Sequence, residues 1–83
     1  NVVKYQLAIA YKEMGAYSAA IELLSDFIIE YPEDSVAYFI IGESYLYIED
    51  YTNSKLAFEK SFETNSNDYR TLYYLGLCSF GLR

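Results

Sequence analysis

Eighty-three residues allow one compact unit with a small core, and a hydrophobic share of 53% excludes a disordered chain. A net charge of −6 without a basic stripe argues against nucleic acid and anionic membrane surfaces, since both need Lys and Arg to displace counterions. One Cys and no His exclude an intramolecular disulfide and a zinc site of the usual Cys/His kind, and no apolar run reaches the roughly 18 residues of a membrane span.

Residues 2–14 place Val3, Leu7, Ala10, Tyr11 and Met14 at the spacing of an amphipathic helix. Gly15-Ala16 predicts its end, because glycine turns left-handed without steric cost. A second helix is predicted over Tyr17 to Glu30, with Ala20, Leu23, Leu24, Phe27, Ile28 and Tyr31 on one face. Pro32 disfavours the helical region for Tyr31 and stops it there. Asp34 or Ser35 can cap a third helix, which runs to Ile48 with Tyr38, Ile41, Gly42, Tyr45 and Ile48 on one stripe. Glu49-Asp50 takes the place of Gly-Ala at the next turn. The fourth helix, Tyr51 to Thr64, is expected to turn Leu56, Ala57, Phe58 and Phe62 inward. Asn65 to Asp68 is polar turn chemistry, and a fifth helix begins near Tyr69 and holds Leu72, Leu75, Gly76, Ser79 and Phe80. Turns this short make successive helices antiparallel neighbours, and no sustained alternation supports a strand.

Gly42, Tyr45 and Tyr51 recur 34 positions earlier as Ala8, Tyr11 and Tyr17, and Gly42 recurs 34 positions later as Gly76. A period of this length points to a repeat architecture. With phases counted from 1 in each unit, small residues at 8 and 20, aromatics at 11 and 17 and Pro at 32 resemble the tetratricopeptide repeat. Unit one carries the resemblance at Leu7, Ala8, Tyr11, Gly15, Tyr17, Ala20, Phe27 and Pro32, and unit two at Ile41, Gly42, Tyr45 and Tyr51. Ser54, Ser61 and Ser66 depart from the family's Ala, Ala and Pro, Lys4 from its large aromatic, and Ser79 from the aromatic that should follow Leu75 and Gly76.

The resemblance implies an all-α fold, an α-solenoid of antiparallel helix pairs wound as a right-handed superhelix of five helices. It implies a single domain over 1–83, with repeat one at 1–34, repeat two at 35–68 and the first helix of an incomplete repeat three at 69–83. The chain opens in mid-pattern, so it reads as a piece of a longer array. Ala8, Tyr11, Ala20, Pro32, Gly42, Tyr45, Ser54 and Gly76 are the structural repeat positions it implies, the small ones letting helices approach closely.

In that family the first helix of each unit lines a concave groove near phases 2, 5, 6, 9, 12 and 13. Carried over, the partner-binding positions are Tyr5, Ile9, Phe39, Ile40, Glu43, Tyr47, Tyr73, Tyr74 and Leu77, with Tyr5, Phe39 and Tyr73 as an aromatic ladder. A subset of the family clamps a terminal carboxylate with Lys and Asn at phases 5 and 9; Tyr5 and Ile9 stand there, so that clamp is not implied. The expectation is a scaffold that binds a peptide or helix of a partner protein in an apolar and aromatic groove. The alternative is a self-assembly element whose groove and open end are filled by its own chain or by other copies. The apolar girth of the fifth helix favours self-association.

No catalytic constellation assembles. Triad and acid–base chemistry lean on His, Cys78 sits in an apolar helix with no evident base, and Glu33-Asp34 and Glu49-Asp50 lie at turns, where capping and solvation account for them. We therefore expect no enzyme, metal or cofactor, a protein partner, no nucleic acid and no membrane insertion. The runs Phe27 to Ser35 and Leu75 to Cys78 are similar to repeats of bacterial envelope-assembly lipoproteins, which sets the periplasm beside the cytoplasm as a compartment.

Overall fold

The computed structural model describes residues 2–65 and 69–81, and side chains from Gln6 onward. Five helices follow one another: α1 (Val2–Glu13), α2 (Tyr17–Glu30), α3 (Ser35–Tyr47), α4 (Tyr51–Thr64) and α5 (Tyr69–Gly81). Each helix expected from the sequence is present, and the ends agree to within a residue. The turn expected at 65–68 lies, beyond Asn65, outside the described residues.

Local chemistry sets the ends. The Asp34 carboxylate accepts from the backbone N–H groups of Val36 and Ala37, and that of Asp50 accepts from Asn53 N–H, so each caps the helix that follows. The turn after α1 closes with Ala16 N–H donating to Tyr11 C=O at 2.8 Å and Gly15 N–H to Lys12 C=O at 3.0 Å. The turn after α3 repeats both bonds, Asp50 to Tyr45 and Glu49 to Leu46, at 3.0 and 3.1 Å. This paired closure needs a left-handed residue at its centre. Gly15 takes it at φ 83°, and Glu49 takes it at φ 65° despite its side chain.

The helices form an α-solenoid in two layers. α3 is packed by α2 on one side and α4 on the other, and α5 packs on α4. Along the inner layer the backbones of α1 and α3, and of α3 and α5, come close, whereas among the described residues those of α2 and α4 stay farther apart and meet only through side chains such as Phe27 and Ala57. First helices close together and second helices farther apart bend the stack, with α1, α3 and α5 on its inner side.

Two apolar clusters hold the layers together. Ala8, Leu24, Phe27, Ala37, Ile40, Ile41 and Ala57 bury the junction of units one and two. Phe39, Phe58 and Cys78, with Leu46, Tyr74 and Leu75 against them, bury the junction of units two and three. The expectation of one apolar stripe on α3 needs correction. Helices flank it on both sides, so Ala37, Phe39, Ile40 and Ser44 are buried together with Tyr38, Ile41 and Gly42. Leu56, expected inward, is instead 58% exposed, because α4 turns Ser54, Ala57, Phe58 and Ser61 to its neighbours.

The small residues do different work in the two complete units. Ala8 and Ala20 are fully buried in unit one. A Cβ added at Gly42 would lie 2.9 Å from the ring of Phe58, so α3 and α4 approach to a distance that only glycine allows. Ser54 and Ser61 stand where unit one has Ala20 and Phe27. The Ser54 hydroxyl donates to Gly42 C=O at 2.7 Å and accepts from the Cys78 thiol at 3.2 Å, while the Ser61 hydroxyl donates to Ser35 C=O at 2.9 Å. The hydroxyls thus satisfy themselves on carbonyls of α3. Gly76 needs correction as a contact position: it is exposed, with nothing within 4 Å of an added Cβ. Among the described residues no helix lies against that side of α5.

Candidate functional site

The inner side is built from α1, α3 and α5, and its centre is polar. Lys12 Nζ on α1 donates to Glu43 Oε1 on α3 at 2.9 Å, an ion pair with both side chains largely covered. The Tyr74 hydroxyl on α5 donates to Glu43 Oε2 at 3.4 Å. One carboxylate therefore ties three first helices together. Burial, and then the charge of Glu43, push the Tyr74 hydroxyl above its ordinary pKa.

Aromatic packing surrounds this tie. Tyr74 stacks on Phe58 with ring centroids 5.0 Å apart and meets Phe39 edge-on at 5.4 Å. The Arg70 guanidinium lies 4.7 Å above the Phe39 ring. Tyr73 meets Tyr74 edge-on at 5.7 Å. At the other end, Tyr47 stacks on Tyr17 at 5.0 Å, and a Cβ at Gly81 would strike the Tyr51 ring. The phase-17 tyrosine of each complete unit thus meets the same phase of the next unit, Tyr47 in one case and Gly81 in the other.

The nine expected groove residues divide by environment. Ile9, Tyr47, Tyr73 and Leu77 are exposed. Glu43 and Tyr74 are half-buried and engaged with each other. Phe39 and Ile40 need correction: at 8% and 4% exposure they belong to the packing of α3 between its neighbours and offer no free surface. The Tyr5 side chain lies outside those described, so the three-ring ladder reduces to buried Phe39 and exposed Tyr73. Of the repeat positions, Ala8, Ala20, Gly42 and Ser54 are buried, Tyr11 and Tyr45 half-buried, and Pro32 and Gly76 exposed.

Sequence reasoning misses the tie between units, although its signal is present. Lys12–Glu43, Phe39–Arg70 and Glu43–Tyr74 are all pairs 31 residues apart, one period less about one helical turn. Scanning for complementary side chains at that offset, rather than at the period itself, finds them.

Family models for the tetratricopeptide repeat match residues 3–34 and residues 35–68. The chain belongs to the tetratricopeptide repeat family. No curated protein matches it significantly. Tetratricopeptide repeats are in general protein–protein interaction modules without catalysis of their own. None of the described helices is long and apolar enough to cross a membrane.

Proposed function

We propose that this chain is a non-catalytic scaffold whose inner side holds a peptide or helix of a partner protein. The observation that carries this reading is that apolar side chains are exposed at the family's groove phases of the first helices: Ile9 on α1, Tyr47 on α3, and Tyr73 and Leu77 on α5. They flank a polar centre that Lys12 and Tyr74 already satisfy. A carboxylate or ammonium group arriving there would have to break the tie, so the occupant is apolar or aromatic where it crosses Glu43. Contiguous apolar exposure marks contact surfaces, and tyrosines anchor them at little entropic cost. Affinity capture with the chain, read by mass spectrometry and repeated with Tyr73→Asp and Tyr47→Asp, tests this. The same captured proteins at the same yield would remove the inner side from consideration.

A second reading rests on α5, where Leu72, Gly76 and Phe80 are all exposed. On that reading the outer side of α5 is covered by further chain or by another copy, and the array serves assembly. Light scattering that gives a single-chain mass at millimolar concentration would exclude another copy there.

A further inference from the structure

Away from the inner side, the molecule carries two crevices at the same place in successive units. The first, of about 290 Å³, lies between α1 and α2 and is lined by Leu7, Tyr11, Ala19, Glu22, Leu23 and Asp26. The second, of about 430 Å³, has Ile41, Tyr45, Leu56, Ala57 and Lys60 at matching phases, and Ser25 and Ile28 of the preceding helix α2 wall it. Phases 22 and 26 differ between them: Glu22 and Asp26 rim the first, Leu56 and Lys60 the second. Glu22 and Asp26 stand one turn apart and exposed, and neither has an ion pair or side-chain hydrogen bond among the described residues. On α4 the exposed Leu56 stands one turn before Lys60, whose nitrogen is held only loosely, 3.8 Å from Glu63.

We propose that these are the two halves of one contact between copies of this chain. Leu56 of a second copy seats on the apolar floor of Leu7, Tyr11 and Leu23, and its Lys60 lies against Glu22 and Asp26. Matching i, i+4 spacing on both helices lets the apolar anchor and the ion pair form together. The patches are different surfaces, so the contact is heterologous, and a pair of copies keeps one free crevice at one end and one free α4 at the other. Association runs head to tail and lengthens with concentration. One aliphatic anchor and one exposed ion pair make a small contact, so it is weak and weakens further as salt screens the charges.

Sedimentation equilibrium of the whole chain over rising concentration at low ionic strength tests this. The weight-average mass is expected to climb above the 9.6 kDa of one chain, and to climb less in high salt. Leu56→Asp is expected to return the single-chain mass, and so is the pair Glu22→Lys with Asp26→Lys, although that pair lowers the net negative charge. Adding Lys60→Glu to the pair is expected to restore association with the charges exchanged. All these positions are exposed, and an unchanged far-ultraviolet dichroism melt checks that each variant folds. A single-chain mass at every concentration overturns the proposal. So does association that survives Leu56→Asp and the charge reversal, and its loss in Phe80→Ser instead would move the contact to α5.

Discussion

Gly42 and Gly76 stand at the same phase of successive units, yet one is clamped and the other is open. α3 lies between α2 and α4, and Gly42 has the Phe58 ring against it. Phe58 is itself fixed, fully buried with Phe39 edge-on and Tyr74 stacked on it. α5 packs on α4 and α3 by way of Thr71, Tyr74, Leu75 and Cys78, and Gly76 faces away from them. A small residue is a packing device only where a second helix arrives. Elsewhere it is a helix weakened by its least favourable ordinary residue.

The difference can be broken by substitution. Gly42→Leu has no room beside a ring that cannot move, so it is expected to cost about 1 to 3 kcal/mol. In a domain of this size that lowers the thermal midpoint by several degrees, and an unchanged midpoint would refute the close approach of α3 to α4. Gly76→Ala meets nothing, and removing glycine from a helix interior is expected to raise stability by up to about 1 kcal/mol. If Gly76→Ala destabilises instead, that side of α5 is covered in solution.

The turns offer the same contrast at smaller scale. Glu49 holds the left-handed conformation that Gly15 holds in the equivalent turn, at a cost that glycine does not bear. Glu49→Gly is expected to raise stability by about 0.5 to 1 kcal/mol in a denaturant titration. Gly15→Ala is expected to lower it by a similar amount. The smallest effect is one of pH. Burial, and then Glu43, hold Tyr74 protonated in the fold, so the stability it adds is complete below the tyrosine value of 10.0 and is lost as pH rises through the raised folded value. Melting midpoints between pH 9 and 11 are expected to fall more in the parent than in Tyr74→Phe. Parallel curves would mean the hydroxyl is neither buried nor held against Glu43.

What the residues themselves supply toward the candidate site is phase. The phases pick out the inner helices, and Tyr47, Tyr73, Ile9 and Leu77 stand exposed on them. Phe39 and Ile40 read as surface and are buried, because a phase says which way a residue faces, not how close the next helix comes. The Lys12–Glu43–Tyr74 tie escapes a reading by phase because its members sit at different phases, joined by the slant of one first helix across the next.

The amino-acid order alone determined the helices, their caps and turns, the 34-residue period and the family, because each rests on residues near in sequence or on spacing that repeats. Tertiary structure alone decided which equivalent positions are equivalent in environment. It buried Phe39, freed Leu56 and Gly76, and joined Glu43 to both neighbouring first helices. The physical reason is that burial belongs to pairs of helices. A helix with two neighbours hides side chains that the same pattern exposes on a helix with one.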